Sequence, residues 1–187
     1  MTGLPKKMLS YPKEKCLLFY RSLLDYIGSR SVRNYSHTSK IIRRFKDDDF
    51  ERILELHSTC FGNRNRFQIM KYPHLFRNIC YVHEVNGRIV AFMGFYLHIK
   101  FVGFKKIHKA TAYSLCIDPS MRGKGTVLTV INESLKELKN NHVHSVEGCI
   151  NINNPQSLVV HQRFGFKIIE KNSKLCGEET YKIELIF

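Results

Sequence analysis

The chain has 187 residues, 43% hydrophobic and 25% charged, a length and balance that suit one compact globular domain with an appendage. No apolar run approaches the ~20 residues that cross a bilayer, and no internal repeat or low-complexity tract is present, so membrane-embedded and repeat classes are excluded. The formal net charge is +14, and eleven basic residues against Glu14 and Asp25 leave +9 of it between Met1 and Lys46, a field that attracts polyanions. Six cysteines (Cys16, Cys60, Cys80, Cys116, Cys149, Cys176) are scattered without a C-x-x-C pair or metal-ligand spacing. They read as reduced thiols of a cytoplasmic protein that holds no metal.

Residues 1–39 read as a basic extension, with the main domain over 40–187. In "KEKCLLFYRSLLDYIGSR" a helical stripe of Leu17, Tyr20, Leu24 and Ile27 precedes Gly28, which is expected to stop the helix. The stripe is expected to dock on the main domain. "SRSVRNYSHTSK" reads as a polar linker. "KIIRRF" follows as a short strand, and "DDDFERILELHSTCF" as a helix opened by aspartates with Ile53, Leu54 and Leu56 on its buried face. A second helix covers Arg66 to Arg77 and is interrupted by Pro73. "NICYVHEV" and "RIVAFMGFYLHI" form a hairpin about Asn86-Gly87, and "KATAYSLCI" is the next strand. From Thr126 to Asn140, Val127, Leu128, Ile131, Leu135 and Leu138 share one face of an amphipathic helix. "HSVEGCIN" is a strand, "NNPQSLVVHQRFGF" a helix, and "FKIIEK" and "TYKIELIF" close the chain as strands. This order predicts an α/β fold in which helices cover a mixed sheet.

Two stretches carry chemistry. "DPSMRGKGTVLTV" joins a strand to a helix, where the first amides lack intrahelical partners and the dipole favours an anion. Gly123 and Gly125 permit positive φ and bare the backbone, and Arg122 and Lys124 add charge. The stretch is built for a phosphate or pyrophosphate, yet its spacing fits neither a Walker loop nor the dinucleotide fingerprint, whose third glycine is here Leu128. In the second stretch, Asn154 is an N-cap, Pro155 suits the first helical position and Gly165 marks the stop. His161 lies two turns beyond Asn154 on the same face.

Read in order, "LCIDPSMRGKGTV" and "NNPQSLVVHQRFGF" resemble the GNAT superfamily of N-acetyltransferases. The first is similar to the family's strand, proline and R-x-x-G-x-[G/A] loop. The second is similar to its N-x-x-[A/S]-x-x-x-Y-x-x-x-G-F helix. The resemblance covers Lys40 to Phe187. It implies a six- or seven-stranded, mostly antiparallel mixed sheet splayed in its middle, flanked by about four helices, with the N-terminal helix as an extension. It implies acetyl-CoA as cosubstrate, its arm pairing with the backbone of Leu115, Cys116 and Ile117. The pyrophosphate would sit on the loop of Arg122, Gly123, Lys124, Gly125, Thr126 and Val127, with Asn154 near the thioester. The implied reaction is direct attack by a primary amine, from a small metabolite or a protein, through a tetrahedral intermediate.

The sequence departs from this pattern at three places. Val127 stands where the family has Gly or Ala, so its branched side chain must turn away from the pyrophosphate. His161 replaces the tyrosine that protonates the departing thiolate, either as that acid or as a structural histidine. Cys149 stands where the family often has its glutamate base; Glu147, on the same face of the strand, and Tyr113 are the alternatives, with water a third. The acceptor pocket is expected between the first two helices and a loop around Lys100 to His108. Two other readings stay open: an acyl-CoA-binding module that is weak or inactive, and a nucleic-acid-associated protein that uses its basic arm. A homodimer is compatible with either, and no membrane span is expected.

Overall fold

The computed structural model describes residues 11–64, 66–175 and 178–187. Lys6, Lys7 and Cys176 lie outside the described residues. In chain order the elements are α1 (Tyr11–Ser31), β1 (Ile42–Arg44), α2 (Phe50–Phe61), α3 (Arg66–Leu75), β2 (Cys80–Val85), β3 (Arg88–Val102), β4 (Lys105–Ile117), α4 (Thr126–Asn140), β5 (Ser145–Asn151), α5 (Pro155–Arg163), β6 (Lys167–Leu175) and β7 (Glu178–Ile186). The seven strands form one sheet in the order β1-β2-β3-β4-β5-β7-β6. Every neighbouring pair is antiparallel except β4 and β5.

The core centres on β3. Val90 to Phe95 are buried without interruption. Successive strand residues point to opposite faces, so helices must cover both sides, and α1, α2, α3 and α4 all pack against this strand. Phe92, Phe95, Tyr81, Phe76 and Tyr72 are fully buried, each removing enough apolar surface to contribute about 1.5–3 kcal/mol. The β2–β3 turn has Asn86 at φ 51° and Gly87 at φ 74°, the left-handed pair that matches strand twist in a two-residue hairpin.

Several expectations are corrected. Gly28 does not stop α1, which runs on to Ser31. Instead Gly28 is where the helix crosses β3, and a Cβ there would collide with the Leu97 carbonyl. The docking face of α1 is Asp25, Gly28, Ser29 and then Val32, while Tyr20, Leu24 and Ile27 of the predicted stripe are exposed. Close approach of backbones selected the small and polar face over the apolar one, and Asp25 is held there by Lys71 at 2.7 Å. The polar segment after α1 is fastened down. Glu137 Oε1 accepts from the Thr38 amide (2.8 Å), the Thr38 hydroxyl (2.8 Å) and the Ser39 amide (2.7 Å). The Ser36 amide donates to Asn141 (2.6 Å), and Tyr35 and His108 share a 2.7 Å hydrogen bond. On α4, Val130 takes the buried place expected of Leu128, which is exposed. Residues 100–108 are not a loop. They prolong β3 and β4 into a two-stranded ribbon that turns at Gly103, with Phe101, Val102 and Phe104 exposed at its tip.

Candidate active site

The sheet opens between β4 and β5. These two strands pair only at Lys109–Ser145, Ala110–Val146 and Thr111–Glu147, and then part. The cause is a bulge in β4. Its register against β3 passes from Gly94–Ser114 to Phe95–Ala112, leaving Tyr113 as the extra residue, and a bulge bends its strand away from a straight partner. The Tyr113 ring fills the space over Gly94, where a Cβ would collide with it. At the vertex of the opening, buried ion pairs pin the strands. Lys109 Nζ lies 2.7 Å from Glu147 and 2.8 Å from Glu184, and Thr111 Oγ1 donates to Glu147 at 3.1 Å.

Beyond the vertex lies a cavity of about 570 Å³. Thr111–Leu115 form one wall and Gly148–Asn151 the other, with Asn154, Ser157 and His161 of α5 beside them. Cys60 and Phe61 at the end of α2 close a further side. Residues 100–108, expected near the acceptor, do not line it.

The glycine loop lies past the end of β4. Asp118 anchors its start: Arg52 and Arg88 reach its carboxylate at 2.5 and 2.9 Å, and its other oxygen accepts from the Ser120 amide at 3.0 Å. Gly123 and Gly125 have φ of 75° and 80°, and Gly125 is the left-handed residue that opens α4. A Cβ on either would meet nothing within 4 Å, so the backbone conformation, not crowding, requires glycine there. The first bond of the helix is Thr129 N–H to the Gly125 carbonyl. The amides of Thr126, Val127 and Leu128 therefore stand outside the helical ladder. Val127 is half-buried and packs against the core. Lys124 and Arg122 are exposed, and Arg122 reaches back to the Cys60 sulfur at 3.7 Å.

The candidate catalytic residues fall in different environments. Asn154 Oδ1 caps α5 by accepting from the Ser157 amide at 3.0 Å. His161 is buried beside the cavity, and its Nδ1 is 2.8 Å from the Ser157 carbonyl oxygen. A carbonyl only accepts, so Nδ1 carries the proton and the neutral ring keeps its lone pair on Nε2. Burial pushes the pKa of His161 below its ordinary value. Neutral His161 therefore has no proton at Nε2 to give until it has first accepted one. Tyr113 lines the cavity, but its phenol is buried 3.4 Å from the Cys80 sulfur, and that burial pushes its pKa far up. Glu147 stands at the vertex and is not part of the cavity wall. Burial works to raise its pKa, but Lys109 and Lys182 outweigh that and hold it below the usual carboxylate range. Neither group offers a ready base.

Two features had no signal in the sequence. Arg64 and Glu178, on the cavity wall, form a 3.0 Å ion pair, and Asn151 donates to the same carboxylate at 2.5 Å. Cys60 meets Arg122 and the Ile117 carbonyl although neither is near it in the chain. Only the folded sheet brings these residues together. Among the described residues no group of three or more His, Cys, Asp or Glu could hold a metal, and no helix is long and apolar enough to cross a membrane.

Residues 41–169 match the family model described as "Acetyltransferase (GNAT) domain". Solved structures share the fold. Arabidopsis thaliana Naa50 in complex with the bisubstrate analogue CoA-Ac-MVNAL superposes with a TM-score of 0.67 at 16% identity, over 78% of this chain and 97% of that one. The ribosomal-protein-alanine N-acetyltransferase of Brucella melitensis gives 0.63 at 21% identity, over 79% and 99%. Arabidopsis thaliana NAA60 in complex with acetyl-CoA gives 0.64 at 14% identity, over 78% and 98%.

Proposed function

This chain belongs to the GNAT acetyltransferase family, and we propose that it moves the acetyl group of acetyl-CoA to a primary amine within the opening between β4 and β5. The three-residue pairing of these strands carries the reading: past Thr111 the edge of β4 faces a cavity instead of a strand. The residues present fit the cosubstrate. An extended arm can pair with the backbone of Leu115, Cys116 and Ile117. The left-handed backbone at Gly123 and Gly125 and the helix amides of Thr126 and Val127 suit a pyrophosphate, with Arg122 and Lys124 supplying charge. Asn154 borders the reacting end of the cavity. The acetyltransferase unit is proposed to span 40–187, with 1–39 as an extension.

Acetyl-CoA supplies an acetyl group already activated as a thioester; the chain supplies position and a path for the proton. An amide of β4 near Leu115 to Ile117 would hold the carbonyl oxygen. His161 Nε2 accepts the proton that the acceptor nitrogen must shed. The same burial that lowers the His161 pKa makes its imidazolium a stronger acid, ready to hand that proton to the departing sulfur. One histidine thus serves as base and then as acid, which needs neither Glu147 nor Tyr113.

The acceptor is proposed as a protein or small-molecule amine. A peptide-containing analogue bound to Naa50 and a ribosomal-protein-alanine enzyme among the structural neighbours support the protein alternative. The net charge of +14 opposes a polycation such as a polyamine. Contact of the basic arm with a polyanion is a separate proposal, opposed by any gel shift that survives removal of residues 1–40. Calorimetric titration with acetyl-CoA tests the main reading: a saturable heat is expected, and no binding at millimolar ligand overturns it. Binding without thiol release across a broad amine panel would instead support an acyl-CoA-binding module.

A further inference from the structure

The β3–β4 ribbon runs past the rest of the sheet. β2 leaves β3 at Gly94, and β5 meets β4 only over Lys109–Thr111. The ribbon is held at its root, where the His108 carbonyl accepts from the His144 amide at 2.7 Å and the His108 ring bonds to Tyr35. Beyond the root, Lys100–Ile107, Phe101–Lys106 and Val102–Lys105 are paired with each other alone among the described strands. The apolar residues of the tip lie in the open, with Phe101 71%, Val102 65% and Phe104 108% exposed. Neighbours on a strand point to opposite faces, so Phe101 and Val102 flank the ribbon on either side and Phe104 follows at the turn. Residues directly across a strand pair share a face, so Lys106 stands beside Phe101 and Lys105 beside Val102. Lys100, also exposed, lies one pair further back. Between Glu84 and Asp118 the sequence has no acidic residue, and Glu147 and Glu184 near the root are already paired with Lys109.

We propose that this tip docks the protein on an anionic lipid bilayer. Phe101, Val102 and Phe104 enter the boundary between headgroups and acyl chains, a depth of about 5–10 Å. Lys100, Lys105 and Lys106 meet the acidic headgroups around them. Charge complementarity sets the sign of the partner: three lysines with no carboxylate among them attract an anionic surface. The shape sets its class. Single-stranded nucleic acid needs a platform on which successive bases stack, and a folded protein needs a hollow already cut to fit. Apolar groups aimed to both sides of a narrow turn suit a fluid that closes around them. The lysine stems can lie along the wedge while their charged heads stay in water. Lysines on the free ribbon also discourage another strand from pairing with it. β4 begins at the tip and ends at the glycine loop, so docking leaves that loop at the opposite end of the strand from the lipid. The proposal does not depend on the acetyl-CoA reading.

The chain contains no tryptophan, so Phe104→Trp in the full-length protein supplies a single reporter at the tip. With vesicles of equal parts phosphatidylcholine and phosphatidylserine its emission should shift to the blue and be quenched by lipids brominated along the acyl chain. Vesicles of phosphatidylcholine alone should bind about tenfold more weakly or less. A net charge of +14 draws the protein to such vesicles by itself, so co-sedimentation compares variants of equal charge. Phe101→Ser/Phe104→Ser, which leaves the charge untouched, should weaken binding about tenfold. Lys105→Glu/Lys106→Glu should weaken it about tenfold more than Lys139→Glu/Lys171→Glu, which makes the same charge change at exposed positions away from the tip. Tryptophan emission unmoved by the vesicles would overturn the proposal. So would undiminished binding of the double serine variant, or equal losses in the two glutamate pairs. Tip-dependent binding of single-stranded RNA in preference to the vesicles would replace the bilayer with a nucleic acid.

Discussion

His161 shows how one hydrogen bond narrows a role that the sequence left open. Its place in "NNPQSLVVHQRFGF" marked it as the group nearest the departing sulfur, but the sequence could not show which nitrogen holds the proton. The 2.8 Å contact from Nδ1 to the Ser157 carbonyl assigns it, and burial keeps the ring neutral at neutral pH. Because the shift is downward, the form with a free Nε2 prevails above a pKa that lies under ~6.5, and activity should fall only as pH drops through that value. His161→Phe should lower kcat/KM about 100-fold and remove the acid limb of the pH profile; an unchanged rate and profile would end the proton-path reading. Glu147 and Tyr113 were named as bases because of strand alternation and proximity. Their charge partners and depth were not legible, since Lys109, Lys182 and Cys80 come from other strands.

At the scale of elements, legibility followed locality. The spans of α4 and α5, the Asn86-Gly87 turn and the capping of α5 by Asn154 were all readable, because caps, turn glycines and apolar periodicity act within a few residues. Gly28 misled because a glycine near a helix end resembles a stop signal until the strand beneath it is known. Glycines at the site separate into two kinds, and each predicts a different defect. Gly125→Ala must hold an alanine at φ 80°, costing about 1 kcal/mol. It should raise KM for acetyl-CoA while leaving kcat at saturation near wild type, as steady-state kinetics will check. Gly94→Ala instead drives a methyl into the Tyr113 ring that the β4 bulge places there. Overpacking of this kind costs about 1–3 kcal/mol, so its urea midpoint should fall; a variant as stable as wild type would contradict the packing described for the bulge.

For the whole molecule, the segment following α1 was read as a linker because its side chains are polar, yet those side chains fasten it to α4. Burial pushes the Glu137 carboxyl up, but the Thr38 hydroxyl, the amides of Thr38 and Ser39, and His37 outweigh it and hold its pKa below the usual range. A carboxyl whose pKa is depressed by folding adds stability above its unfolded value near ~4.3, and loses it as pH falls through the folded value. Glu137→Gln should therefore cost about 2 kcal/mol at neutral pH, measured by urea unfolding, with the difference from wild type vanishing in acid. No local pattern could have disclosed this attachment, which spans about a hundred residues of sequence.

The brief parallel contact of β4 and β5 also bears on mechanical coherence. Among the described residues, the four strands on one flank and the three on the other pair at only three positions, beside the Lys109 ion pairs and the Thr111–Glu147 hydrogen bond, so the sheet is a book whose spine is stitched at one end. A visitor seated along Ala112 to Ile117 would serve as the missing stitching. Deuterium uptake by those amides should slow in its presence and the melting temperature should climb with its concentration, by the mass-action link between occupancy and folding.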